Sequence, residues 1–302
     1  MEFKVDKTAK PFIKWVGGKT QLLEEVRRSL PVDFQRKRNI TYVEPFVGGG
    51  AVLFWILQEY PGVRRAVIND VNTELICTYR IIKSDVQALI SILEEIQSEY
   101  QALSIEERKE YFLHKRNIYN AKQLSDLETA ALFIFLNKTC FNGLYRVNAK
   151  GKFNVPHGKY TNPKICDRVN LLAVSSLLQR VEILNGDYSE TEKYAAPNTL
   201  FYFDPPYKPI TETSSFTSYS ASGFDDKEQI RLRDFCNKIS QTGASFIASN
   251  SDPTGINPQN TFFDEIYNRF RIKRVYASRM INSNPDARGS VPELMISNIV
   301  NA

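Results

Sequence analysis

The chain has 302 residues, 42% of them hydrophobic and 24% charged, with 39 Lys and Arg against 34 Asp and Glu. That length can bury a sizeable core in one large domain or two modest ones, and the composition is that of a soluble globular protein. A net charge of +5 is too small to imply a polyanionic partner by itself, so the placement of the charges must decide.

The start, "MEFKVDKTAK", offers no apolar core for a signal peptide, and no apolar run is long enough to cross a bilayer. Cys77, Cys140, Cys166 and Cys236 form no CxxC pair, and neither His114 nor His157 falls beside a cysteine. This argues against a metal site and for buried, inert thiols in a reducing cytoplasm.

In chain order, strand-like runs are expected at "ITYVEPF" (40–46), "RRAVIND" (64–70), "VEILNGD" (181–187), "LFYFDPP" (200–206) and "ASFIASN" (244–250). Helical patterns stand between them, at "AVLFWILQEY" and at "DKEQIRLRDFCNKI" (226–239), which predicts a parallel α/β sheet. Near the C-terminus "FRIKRVYAS" (270–278) and "ELMISNIV" (293–300) follow without a helix and read as an antiparallel pair. Between Asp70 and Val181 lies far more chain than a crossover helix requires. It holds an amphipathic helix with Val86, Leu89, Ile90, Leu93 and Ile96 on one face, an apolar helix at 127–138, and an irregular stretch at 139–166. An inserted domain at 73–180 is expected, with residues 1–72 and 181–302 forming the other domain.

"VEPFVGGG" (43–50) sets three glycines between a strand and a helix, where an open α/β sheet binds ligands. Asp70 ends the next strand, placed either to accept hydrogen bonds from a ribose or to cap a helix beginning at Val71. "WVGGKT" (15–20) is not a P-loop, because Ile13 stands where that motif needs its first glycine.

With "PFIKWVGGK" (11–19), "YVEPFVGGGAV" (42–52), "IND" (68–70) and "YFDPPY" (202–207) in this order, the sequence closely resembles the Dam-like DNA adenine-N6 methyltransferases over nearly its whole length. The resemblance implies a Rossmann-like sheet binding S-adenosylmethionine, with the inserted, mainly helical domain and its β-hairpin recognising double-stranded DNA. It implies that Trp15, Lys19, Asp70 and Asp204 contact the methyl donor or its neighbourhood, and that the loop at Phe46, Gly48 and Gly50 wraps it. Asp187 and Tyr188, in "NGDY", stand where the family has a motif near the donor's adenine. A monomeric state and a cytoplasmic location are further expectations, and three settings fit the sequence equally: beside a cognate restriction endonuclease, in mismatch-repair marking, or as a phage function.

The Asp-Pro-Pro-Tyr motif suits this chemistry. The exocyclic nitrogen of adenine is a poor nucleophile, and acceptors aimed at its N–H groups can hold it in a reactive geometry. Asp204 can supply a carboxylate and Pro205 a carbonyl, while Pro205 and Pro206 fix the backbone and offer no competing N–H. Tyr207 supplies a ring face for the base, worth about 1–3 kcal/mol. Adenine inside a duplex must be flipped out to reach such a pocket.

No Asp or Glu occurs from Thr129 to Cys166, while Lys138, Arg146, Lys150, Lys152, Lys159 and Lys164 all lie there, interleaved with Phe141, Tyr145, Phe153 and Tyr160. "RVNAKGKFNV" reads as a hairpin turning at Lys150–Gly151, a groove reader with lysines for phosphates and Arg and Asn for base edges. The match to the family's "NGL-R-N---G-FNVP-G-Y" segment implies methylation within GATC. By that similarity Asn142 and Arg146 read bases, Phe141 and Leu144 pack against disturbed pairs, and Asn148, Lys150, Pro156 and Lys159 belong to the same surface. Lys159 stands where many members carry Arg, and cannot make the same bidentate fork. Tyr219, in "SSFTSYS" (214–220), is expected near DNA. Two other readings use the same residues: an RNA methyltransferase, which the hairpin opposes, and a noncatalytic DNA-binding protein, which would not need an intact motif.

Overall fold

The computed structural model describes residues 9–208, 224–255, 257–278 and 290–299. Along the chain run α1 (Leu23–Ser29), β1 (Ile40–Glu44), α2 (Ala51–Glu59), β2 (Val63–Ile68), α3 (Thr73–Ser84), α4 (Val86–Ala102), α5 (Ile105–Asn120), α6 (Asp126–Thr139), α7 (Arg168–Leu178), β3 (Val181–Ile183), β4 (Thr199–Phe203), α8 (Asp226–Gln241), β5 (Ser245–Ser251), α9 (Phe262–Ile266), β6 (Arg271–Ser278) and β7 (Ser290–Ser297). The expected strands all form, and the final two pair antiparallel as their lack of an intervening helix predicts. The fold is mixed α/β with a seven-stranded sheet.

The chain divides into two compact units: residues 1–18, 47–59 and 69–186 form one, and residues 19–46, 60–68 and 187–302 the other. The second holds six strands in the order β2-β1-β4-β5-β7-β6. β1 pairs in parallel with β2 and β4, and β4 with β5, whereas β7 runs antiparallel to β5 and β6. Every residue of β4 is buried, as a run of apolar and aromatic side chains flanked by parallel neighbours should be. Strand order reverses between β1 and β4, and such a switch point opens a crevice beyond the strands' carboxyl ends. Asp204 is the first residue past β4.

In the first unit α6 packs against α3, α4 and α5. It is apolar on nearly all sides because every residue from Ala130 to Asn137 is buried. Capping boxes at Ser104/Glu107 and Ser125/Glu128 start α5 and α6 sharply. The inserted segment at 73–180 lies within this unit, together with residues 9–18, 47–59, 69–72 and 181–186.

Candidate active site and nucleic-acid interface

The Asp-Pro-Pro-Tyr turn is fixed from several sides within the second unit. Lys19, only 6% exposed, places Nζ 2.8 Å from Asp204 Oδ1. The Ser249 hydroxyl, on β5, donates to the same oxygen at 3.1 Å. Among the described residues no donor is found on Oδ2, and the carboxylate remains 22% exposed, so one oxygen is anchored and the other is open. Burial pushes the Asp204 carboxyl above the ordinary carboxylate range, while the Lys19 ammonium and the Ser249 hydroxyl oppose that rise.

Beyond it, the Gln229 amide of α8 donates to the Pro206 carbonyl at 3.1 Å and accepts from Asn250 at 3.0 Å. The Pro206 carbonyl is therefore turned inward and engaged. Tyr207 lays its ring beside Lys19, whose Nζ is 4.4 Å from the ring centroid, and its hydroxyl donates to Glu293 of β7 at 2.7 Å. No motif in the sequence marks Ser249, Gln229, Asn250 or Glu293.

Nearby in the same unit stands an aromatic cluster. Phe46 packs on Tyr188, with centroids 5.2 Å apart, and meets Phe224 edge-on at 5.8 Å. Tyr188 is buried and its hydroxyl has no hydrogen-bond partner among the described residues. Asp187 is differently placed: both its oxygens accept from Arg231, at 2.6 and 3.0 Å, and Oδ1 also accepts from the Ser189 amide at 2.9 Å. These donors hold its carboxyl at about 2.

In the first unit the glycine turn is built around Asp70. Its Oδ2 accepts from the Gly48 amide at 3.1 Å and its Oδ1 from the Asn72 amide at 2.9 Å, while the Tyr79 hydroxyl donates to the Gly48 carbonyl at 3.0 Å. Asn72, not Asp70, caps the helix that follows. Burial raises the Asp70 carboxyl, opposed by the backbone amides of Asn72, Gly48 and Val71. Gly48 takes φ +48°, and a Cβ there would lie 2.7 Å from the Trp15 ring; one at Gly50, φ +75°, would lie 2.5 Å from the Tyr79 hydroxyl. Only glycine serves at either position.

Trp15 stacks on Tyr145 with centroids 5.7 Å apart. Tyr145, Phe153 and Val155 face inward and are buried, so the first two pack the hairpin rather than joining its basic face. The hairpin is short: one bridge pairs Val147 with Phe153, and the turn closes through Gly151 N to the Asn148 carbonyl at 2.8 Å. The Asn148 side-chain oxygen accepts from Lys150 and Lys152 amides at 3.0 and 3.1 Å, which holds the turn. Phe141, Asn142, Arg146, Asn148, Lys150, Pro156 and Lys159 are exposed, and Leu144 half-buried. Arg146 Nε donates to Asn154 Oδ1 at 2.8 Å, which orients the guanidinium. Tyr219 lies outside the described residues.

The comparisons with known proteins decide the class. The family model of D12 class N6 adenine-specific DNA methyltransferases matches residues 15–281. The chain belongs to this family. It is similar to the Type II methyltransferase M.MjaIII of Methanocaldococcus jannaschii, 46% identical over 96% of this chain and 99% of that one. It is also similar to M1.LlaDCHI of Lactococcus lactis, 36% identical over 97% and 96%, and to the DNA adenine methylase of Vibrio cholerae, 33% identical over 96% of each. The protein is accordingly an adenine-specific DNA methyltransferase, acting on DNA. Among the described residues of this methyltransferase no group of three metal-ligating side chains occurs, and no helix is long and apolar enough to cross a membrane. Cys140, Cys166 and Cys236 are buried and Cys77 half-buried; burial pushes Cys140 up to about 12 and Cys77 and Cys166 to about 11.

Proposed function

We propose that the protein transfers a methyl group from S-adenosylmethionine to N6 of an adenine flipped out of duplex DNA, within GATC. The observation that carries this reading is the asymmetry at Asp204, whose Oδ1 holds Lys19 and Ser249 while Oδ2 is left open. Asp204 Oδ2 accepts one N–H of the amino group. The Pro205 carbonyl accepts the other, since that of Pro206 is already engaged by Gln229. Tyr207 stacks on the base. Holding the nitrogen in line with the methyl carbon supplies much of the acceleration, and Asp204 stabilises the positive charge that develops on the nitrogen.

The residues fit the donor. Within the first unit the Asp70 turn, shaped by Trp15, Gly48 and Gly50, suits ribose hydroxyls. Taken by itself, the second unit offers ring faces and an unpartnered buried hydroxyl at Phe46 and Tyr188 that suit a purine, and the Lys19–Asp204 pair that suits the reacting end. Asp187 serves by capping and by its link to Arg231, so its own carboxylate is not free for the donor's adenine. When bound, S-adenosylmethionine supplies a methyl group already activated as a sulfonium substituent.

The reversal of strand order between β1 and β4 supports a Rossmann-like catalytic domain, residues 1–72 and 181–302, with 73–180 as the target-recognition domain. Arg146 and Asn142 read bases, Phe141 and Leu144 press on disturbed pairs, and Asn148, Lys150, Pro156, Lys159 and Tyr219 complete the DNA surface. The two Type II methyltransferase relatives support a setting beside a cognate restriction endonuclease, and a cytoplasmic location is proposed with it. Incubating plasmid DNA with labelled donor and mapping the modified bases tests the whole: N6-methyladenine confined to GATC is expected, and modification elsewhere overturns the site assignment.

A further inference from the structure

Glu293 has no part in the motifs that define the pocket, lies 86 residues beyond Tyr207, and is buried on β7. A buried carboxylate is costly unless hydrogen-bonded. Glu293 accepts from the Tyr207 hydroxyl at 2.7 Å. That phenol belongs to the ring over which the Lys19 ammonium sits at 4.4 Å, and the ammonium in turn reaches Asp204 at 2.8 Å. Four ionisable groups therefore form one chain of contacts: Glu293, Tyr207, Lys19, Asp204.

We infer that Glu293 is a positioning residue for methyl transfer, acting through Tyr207. Its carboxylate does two things. It fixes the rotation of the Tyr207 ring, because the hydroxyl must stay directed at β7. It also draws the phenolic proton outward, which enriches the ring in electron density and strengthens its hold on a cation. Without Glu293 the ring gains freedom, the Lys19 ammonium loses a neighbour that centres it, and Asp204 loses the anchor that keeps Oδ2 open. The base would still bind, but its amino group would be held loosely. This inference rests on the proposed roles of Asp204 and Tyr207.

A double-mutant cycle in methyl transfer, at saturating donor and across GATC duplex concentrations from below KM to saturation, tests it. Glu293→Gln is nearly isosteric, keeps an acceptor and removes the charge; Tyr207→Phe keeps the ring and removes the hydroxyl. Each is expected to lower the transfer rate, by about tenfold for Tyr207→Phe, with the KM for DNA unchanged. In the Tyr207→Phe background, Glu293→Gln is expected to cost less than about twofold more, because its route to the site is already cut. Equal losses from Glu293→Gln with and without the Tyr207 hydroxyl would overturn the inference, as would a change confined to KM. Asp204→Asn, run in parallel, separates the two levels. If it abolishes transfer while the cycle shows no coupling, the pocket reading stands and the role of Glu293 falls; if it transfers normally, both fall.

Discussion

The Asp-Pro-Pro-Tyr turn and the hairpin at 141–160 both carry charged and aromatic side chains, and they deploy them in opposite ways. The turn buries its charges: Lys19 is enclosed, Asp204 is largely covered, and Asp204 Oδ1, the Pro206 carbonyl and the Tyr207 hydroxyl each meet a partner from another element. The hairpin buries its rings, Tyr145 and Phe153, and exposes Arg146, Lys150, Lys152 and Lys159 to water. Buried charges act at short range and are hardly screened, whereas exposed ones, in the proposed contact with DNA, would be shared among many phosphates and weaken with salt. Single substitutions in the turn should therefore be severe and insensitive to salt. Those in the hairpin should be graded and salt-dependent.

The sharpest break in that contrast would come at Asp204. Asp204→Ala is expected to lower kcat by about 10²–10⁴-fold, measured by labelled methyl transfer, while duplex affinity measured by filter binding stays as it was. Next stands Lys19→Met, expected to cost about 10²-fold in kcat at neutral pH. The pH profile adds a sign. In the proposed role Asp204 acts as a carboxylate, so the acid limb of kcat/KM is expected to follow its protonation and to be shifted upward by its burial. Lys19 pulls that value down, so Lys19→Met should move the acid limb to still higher pH.

Hairpin substitutions come after these. Arg146→Ala is expected to lose about 1–3 kcal/mol of discrimination between GATC and a site altered at one base, read from kcat/KM on the two duplexes. Lys150→Ala should weaken all duplexes alike and reduce the slope of log affinity against log salt by about 1. The smallest effect concerns Arg231→Ala. The Asp187–Arg231 pair is about half exposed, so its loss should cost no more than about 1 kcal/mol in denaturant melts. Because Arg231 holds Asp187 at about 2, the pair's stabilisation is present above the unfolded-state value and fades as pH falls towards about 2.

The same contrast explains how far the sequence could be read. Strand β4 is legible because five successive buried positions favour apolar and β-forming residues, and the acid after it stands at a strand end by chain order alone. The hairpin is legible because its turn and its charges are local. What holds the turn is not, since Gln229, Ser249, Asn250 and Glu293 reach it from 23 to 86 residues away through the sheet and α8. Nothing in "ASFIASN" says which hydroxyl faces a neighbouring strand. Helix α5 is illegible in the sequence for another reason: only Phe112 and Tyr119 are buried along it, too few to write a periodic stripe. Asp187 could be placed near the aromatic cluster, but its guanidinium partner lies 44 residues on.

A crystal structure with a GATC duplex and an unreactive donor analogue would bear on the pocket most directly. The expected result is an adenine extruded from the helix, its N6 about 2.6–3.2 Å from Asp204 Oδ2 and within reach of the Pro205 carbonyl, with Lys19 still on Oδ1. An adenine left stacked in the duplex, or one whose N6 meets neither acceptor, would contradict it.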